Sequence, residues 1–215
     1  MNSPIVQIAI DTISVECARP LIEAAIAADA DWIELGKPLV EFEGLNGLRS
    51  LGDLLAGRYV LIDTMIIAAP DKYVSAARDL GARNVTVTAL APPETVQATI
   101  ASGKRHGIDV TVDLFNVRNP VEAATSARQW GAEYVMVHFG VDQKKNNPQG
   151  SPIDVLHDVV TAVDIPVSYA TYDLDECRMA VEAGASVIVQ GEPLLSASDP
   201  RAALSAFIAG AHTHS

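Results

Sequence analysis

Short apolar runs rich in β-favouring residues punctuate the chain at a nearly constant interval: PIVQIAID, DWIELG, YVLIDT, NVTVTAL, DVTVDLF, YVMVHFG, IPVSYATY and SVIVQGE, with starts roughly 20 to 30 residues apart. Several are continuously apolar rather than alternating, the pattern of parallel strands covered on both sides. Between them the period changes. In SVECARPLIEAAIAADA, which opens on Ser14, the spacing of Leu21, Ile22, Ala25 and Ile26 lays apolar side chains along one helical face. PDKYVSAARDLGA begins on Pro70, suited to a first helical turn, and PPETVQATIASGKRHG, NPVEAATSARQWGA, PIDVLHDVVTAV and LDECRMAVEAGA repeat the theme. Gly81-Ala82, Gly131-Ala132 and Gly184-Ala185 each precede a strand, which predicts helices that stop on a left-handed glycine.

Eight strands alternating with eight helices predict an α/β fold, a single (β/α)8 TIM barrel of the ribulose-phosphate-binding type. One domain over residues 1–210 accounts for the chain, with 211–215, AHTHS, as a frayed, disordered tail. An open doubly wound sheet would carry a glycine-rich turn after its first strand, and AIDTIS has none.

Composition narrows the function classes. At 49% hydrophobic, 215 residues are enough to bury a sizeable core. The formal charge of −12 argues against nucleic acid or an anionic membrane as partner, since both demand a basic surface, but leaves open a small anionic ligand. No apolar stretch reaches the length of a membrane span, and MNSPIVQIAID lacks the basic region and cleavage site of a signal peptide, so a cytoplasmic location is expected. Cys17 and Cys177 lie in amphipathic patterns with no partner motif and read as two unrelated buried thiols.

Barrel enzymes place their chemistry where strands end. Here strand 1 ends at Asp11, strand 2 at Glu34 with Lys37 just beyond, and strand 3 at Asp63. Strand 5 carries Asp113, and strand 6 carries His138 with Asp142 beyond. Strands 4, 7 and 8 end in Thr88, Thr171 and Gly191-Glu192. Any one acid would read as a helix cap; several at equivalent places, with a histidine, read as one mouth. Converging carboxylates repel unless a cation or shifted pKa values relieve them, and two or three oxygen ligands open to water suit Mg²⁺. The longest polar loop, DQKKNNPQGSP at 142–152, is either a lid whose Lys144 and Lys145 reach an anionic group or a solvated connector.

With DWIELGKPLVEFEGLNGLRSL, VDLFNV and YVMVHFGVDQ in view, the chain resembles the orotidine-monophosphate-decarboxylase suprafamily. Within it, the resemblance is to the branch of 3-hexulose-6-phosphate synthase and 3-keto-L-gulonate-6-phosphate decarboxylase, nearly end to end. It implies a (β/α)8 homodimer with active sites at the subunit interface. It also implies Mg²⁺ held by the acids matching Glu34 and Asp63, and an enediolate formed from a phosphorylated sugar. The family's strand-3 signature is Asp-x-Lys-x-x-Asp; this chain keeps Asp63 but has Met65 and Ala68 at the other two positions. A glycine pair after strand 7 and a Gly-Arg after strand 8 hold phosphate in the family, whereas this chain reads SYATYD and Gly191-Glu192. A glutamate in place of an arginine turns attraction for phosphate into repulsion.

The resemblance therefore implies a divergent lyase, an aldolase or decarboxylase. Glu34 and Asp63 would hold the metal, and His138 would move a proton. Asp11 and Asp113 would orient hydroxyls. Lys37 would restore a cation to the mouth or, as a loop lysine, point to water. Glu192, Gly191, Thr171, Asp173 and Lys144 would contact the substrate, with Glu192 and Asp173 selecting a neutral or cationic polyol, amine or amide. Two alternatives stand beside it: a metal-dependent sugar isomerase or epimerase, and a non-catalytic relative acting as a binding subunit. Met65 to Ala69 would pack a dimer interface.

Overall fold

A computed structural model describes residues 3–213. These form eight strands and ten α-helices: β1 (Ile5–Ile10), α1 (Val15–Ala27), β2 (Trp32–Leu35), α2 (Lys37–Gly47), α3 (Gly52–Leu55), β3 (Tyr59–Ile66), α4 (Pro70–Asp79), β4 (Asn84–Thr88), α5 (Pro93–His106), β5 (Asp109–Asp113), α6 (Pro120–Trp130), β6 (Tyr134–Val137), α7 (Val141–Asn146), α8 (Ile153–Ala162), β7 (Val167–Ala170), α9 (Leu174–Glu182), β8 (Val187–Gln190) and α10 (Pro200–His212). The strands are parallel and pair in sequence order, with β8 returning to β1, Ile5 opposite Val187, to close the barrel. Closure leaves no unpaired edge.

The core has two shells because strand side chains alternate. Outward residues such as Val6, Ile8, Ile10, Ile33, Leu35, Val60 and Ile62 pack against Ala18, Ile22, Val74, Ala77, Ile100 and Leu156 of the helices. Each large aliphatic so buried contributes about 1.5–3 kcal/mol. The inner shell is smaller: Ala9, Trp32, Met136, Val187 and Val189 cluster, with Tyr59 and Tyr134 packed against them. Trp32 stacks on Tyr59 at 3.9 Å between ring centroids, and Tyr134 meets Trp32 edge-on at 5.3 Å. These aromatics plug the N-terminal end of the barrel, so its interior opens at the C-terminal end.

Helix ends follow the sequence. The Ser14 side chain caps α1 by accepting from Cys17 N, and Gly81, Gly131 and Gly184 have φ of 83°, 88° and 100°. Four points differ from the sequence reading. Lys37 opens helix α2 instead of lying in a loop, in a segment whose pattern is interrupted at Gly44, φ 65°. The polar run 142–152 is partly helical, as α7. Cys17 is exposed, while Cys177 is buried as expected. Of the tail expected to fray, Ala211 is buried and α10 runs through His212, while 214 and 215 lie outside the described residues. Among the described residues no helix is long and apolar enough to cross a membrane.

Candidate active site

The period-two alternation carries inward-facing side chains up to the mouth. There Asp11, Glu34, Lys37, Asp63, His138, Thr171, Gly191 and Glu192 line one cavity of about 630 Å³, together with Met65, Phe115, Tyr172 and Lys145. The register explains the convergence: Ala9 pairs with Glu34 and Glu34 with Leu61, so the acids sit at neighbouring heights on β1, β2 and β3.

Glu34 is buried, and its Oε2 accepts a 2.5 Å hydrogen bond from Gln7 Nε2. Burial pushes its pKa well above the ordinary carboxylate value, and the charges of Asp63 and Asp11 push it further. Asp63 is raised to about 6, first by burial; the Thr86 hydroxyl, donating to Asp63 Oδ1, opposes this, and Asp113 and Asp11 add to it. The backbone bulges here. The β3–β4 register shifts between Ile62 and Ile66, and Met65 adopts φ 37°, a left-handed conformation costing about 1–2 kcal/mol for a residue with a Cβ. Thr86 and Thr64 staple the bulge: Met65 N donates to Thr86 Oγ1 at 2.8 Å, and Thr64 Oγ1 donates to Thr86 O at 3.0 Å. The bulge turns the Met65 thioether into the cavity and leaves Ile67 exposed.

His138 stands opposite. The Asp113 carboxylate accepts from His138 Nδ1 at 2.9 Å and from Phe115 N at 2.7 Å. An ionised carboxylate only accepts, so Nδ1 carries the proton and Nε2 is left for chemistry. Burial alone would lower the imidazole pKa; the charge and hydrogen bond of Asp113, with the charges of Asp63 and Asp11, outweigh it and raise the value. Asp113 itself is buried and does not line the cavity; its carboxylate meets the His138 imidazole, where the sequence reading expected it to meet a substrate hydroxyl.

Asp11 is reached by water through the mouth yet walled by the barrel. Desolvation raises its pKa, His138 lowers it, and Glu192 raises it. Gly36 makes its position possible, because a Cβ there would come within 2.9 Å of Asp11 Cγ and of Ile10 O. Gly191 is equally constrained, a Cβ falling 2.8 Å from Ala9 O. The Lys37 ammonium is paired with Glu41 one helical turn on, and Glu192 accepts from the Ser196 hydroxyl at 2.6 Å.

Two further expectations are corrected. Lys144 does not line the cavity; its ammonium is taken by Glu176 at 3.2 Å and by Gly150 O at 3.1 Å. Asp173 caps α9, accepting from Glu176 N at 2.8 Å, and points its charge at a helix end. The sequence reading missed Gln7, Thr86 and Tyr172. Gln7 and Thr86 belong to the alternation Val6-Gln7-Ile8 and Val85-Thr86-Val87, which sets each on the strand face opposite its apolar neighbours; the closed barrel makes that face the inner one.

The donor set fits a hard divalent cation. Two desolvated carboxylates, each pushed toward protonation partly by the other acids, face one cavity, and a cation is the simplest relief. Among the described residues no three His, Cys, Asp or Glu side chains are grouped to hold a metal, so Glu34 and Asp63 are the carboxylates the cavity offers an ion, and Mg²⁺ bound there would need oxygens from water or substrate for the rest of its shell.

Residues 4–207 match the sequence profile of the Orotidine 5'-phosphate decarboxylase / HUMPS family. A 3-hexulose-6-phosphate synthase of Mycobacterium gastri is 32% identical over 201 residues, 92% of this chain and 94% of that protein. One from Staphylococcus epidermidis is 30% identical over 90% of this chain and 92% of its own length. The chain spans 50% of a Methanothrix thermoacetophila bifunctional enzyme Fae/Hps, at 28% identity over 93% of its own residues. Among solved structures, a 3-hexulose-6-phosphate synthase superposes with TM-score 0.86 at 29% identity, covering 95% of this chain and 98% of that one. A 3-keto-L-gulonate-6-phosphate decarboxylase of Vibrio cholerae gives 0.83 at 18% identity, covering 97% of this chain and 98% of that one, and shares the fold.

Proposed function

The chain belongs to the orotidine 5'-phosphate decarboxylase / HUMPS family, and from that premise we propose that it is a Mg²⁺-dependent carbon–carbon lyase, 3-hexulose-6-phosphate-synthase-like, acting on a sugar-like substrate through an enediolate. The observation that carries this reading is the convergence of Glu34, Asp63 and the Asp113-oriented His138 on one cavity. Glu34 and Asp63 would hold the ion, which when bound supplies positive charge to the oxygens that become anionic as the carbon–carbon bond breaks.

The chain's own residues do the rest. His138 Nε2 faces the cavity and holds or delivers the proton that the enediolate carbon takes up. The Asp113 carboxylate keeps Nδ1 protonated and fixes the ring plane. Met65, at the place of the family's lysine, offers no proton, which leaves the transfer to His138. Asp11 would accept from a substrate hydroxyl, and Gly36, lacking a Cβ, leaves room for its carboxylate. On the β8 side, Glu192 and Asp11 meet the substrate with negative charge, so this side takes a hydroxyl or amine end and repels an anion. The exposed Ile13, Phe42 and Ile67 support the homodimer that the family resemblance implies.

Incubation with Mg²⁺ and a panel of ketose phosphates, ketoses and aminoketoses, following release of aldehyde or CO₂, tests the reading. The lyase releases product, and His138→Gln abolishes it. Deuterium exchange from D₂O without carbon–carbon cleavage would replace the lyase by an isomerase. Calorimetry showing no Mg²⁺ binding, or equal binding to Glu34→Ala, would overturn the metal site.

A further inference from the structure

An ion pair with one buried partner, which the chemistry above does not use, lies just behind the mouth. Glu176 is 3% exposed, yet it accepts from Lys144 Nζ at 3.2 Å and, on its other oxygen, from the fully buried Tyr169 hydroxyl at 2.9 Å. Ser151 Oγ lies 3.0 Å from the same Tyr169 oxygen, and Lys144 Nζ also donates to Gly150 O. Tyr172 joins from the end of β7: its hydroxyl donates to Phe139 O at 2.7 Å, and its ring lies 5.7 Å from the Lys144 ammonium. Desolvating the Glu176 carboxylate is expensive even with the half-buried Lys144 beside it, so the pair is better understood through what it positions than through net stability. What it positions is the connection from β6 to α8. With Lys144 drawn inward to α9, the other side of α7 presents Val141, Asp142, Gln143 and Lys145 to the cavity.

Among the described residues lining that cavity, the two lysines are Lys37, committed to Glu41, and Lys145, which has no carboxylate within ion-pair distance. We propose that Lys145 is a specificity-determining residue that receives a phosphate ester of the substrate at the β6 side of the mouth, and that Lys144, Glu176 and Tyr169 are the positioning residues that hold it there. This rests on the lyase reading for the identity of the substrate, but the anion contact is measurable without it. The charge pattern is the reason for the side: Glu192 and Asp11 put two carboxylates and no lysine on the β8 side, while α7 brings the unpaired Lys145 ammonium to the opposite side, with Asp142 the one carboxylate beside it on that helix.

Inorganic phosphate is the probe, titrated into the intact protein with and without Mg²⁺ and followed by calorimetry. Lys145→Ala, an exposed position, weakens phosphate binding about tenfold, the scale of one charge-assisted contact, while Lys145→Arg retains it. Lys72→Ala, an exposed lysine on α4, leaves it unchanged. The double variant Lys144→Met/Glu176→Gln, which strands no buried charge, weakens phosphate comparably with its melting temperature retained, and Lys144→Arg restores most of the affinity. Unchanged phosphate binding in Lys145→Ala, or equal losses in Lys145→Ala and Lys72→Ala, would overturn the proposal. Mg²⁺ affinity measured on the same samples separates the two readings: phosphate binding lost with Lys145 but no metal site contradicts the lyase alone, and an intact metal site with no Lys145-dependent phosphate binding contradicts this inference alone.

Discussion

Replacing Asp63 by Asn removes a carboxylate that the folded barrel holds against its preference. Its pKa rises from 3.8 to about 6, roughly two units, and at 1.36 kcal/mol per unit the ionised form costs the fold about 3 kcal/mol. The sign follows from proton linkage. Between the unfolded and folded pKa values the native state binds more protons than the unfolded chain, so stability falls as pH rises through this window, and the penalty is complete above it. His138 adds to the trend: its raised pKa contributes stability present below its unfolded value of 6.5 and lost as pH rises through the folded one. Without divalent cations, Asp63→Asn is therefore expected to be more stable than the wild type by up to about 3 kcal/mol at pH 8, roughly 6–12 °C in Tm for a domain of this size, with the gap closing toward pH 4. Asn keeps an oxygen for the Thr86 hydroxyl, so the bulge stays stapled. Urea or thermal unfolding across this pH range with chelator present measures the gap. Saturating Mg²⁺ should narrow or reverse it, by about 2.7 kcal/mol at a hundredfold excess over Kd, because only the wild type gains the bound ion. A variant no more stable than wild type at pH 8, or a gap independent of pH, would mean that the ionised Asp63 carboxylate does not destabilise the barrel.

Other outcomes follow from the same geometry. Asp113→Asn removes the charge that favours imidazolium, so the His138 limb of the kcat pH profile moves to lower pH and turnover falls; an unmoved limb in stopped-flow or steady-state profiles would separate His138 from the proton transfer. Gly36→Ala pushes the Asp11 carboxylate aside and is expected to cost about 10–100-fold in kcat/KM, with circular dichroism unchanged. Lys144→Met alone strands Glu176 in the interior and should cost about 3 kcal/mol by urea denaturation, recovered when Glu176→Gln is added.

Much of the barrel was legible because its two periods are written plainly. The eight strand runs and the Gly-Ala stops at 81, 131 and 184 need only local sterics and burial to be read, and they place Asp11, Glu34 and His138 at or next to strand ends; Asp63, expected at the end of strand 3, lies within β3, which continues through a bulge to Ile66. The polar lining was less legible. Asn84-Val85-Thr86-Val87-Thr88 and Asp109-Val110-Thr111-Val112-Asp113 alternate strictly, yet only the closed register shows that the polar half faces inward, so that Thr86 meets Asp63 and Gln7 meets Glu34. Asp173 looked like an acid of the rim, but its spacing to Glu176 is that of a helix cap, a signal present in the sequence and outweighed by its place after β7. Lys144 and Lys145 are chemically alike and adjacent. Which one turns inward depends on Glu176 and Tyr169, more than twenty residues away, and no local pattern carries that choice.

The proposed cation site shared by β2 and β3 is tested most directly by anomalous diffraction from crystals soaked in Mn²⁺ as a stand-in for Mg²⁺. A single peak is expected within coordinating distance of both the Glu34 and Asp63 carboxylates, facing His138 across the cavity and absent from Glu34→Gln crystals. A cavity without a peak, or a peak that persists in Glu34→Gln, would contradict the proposed site.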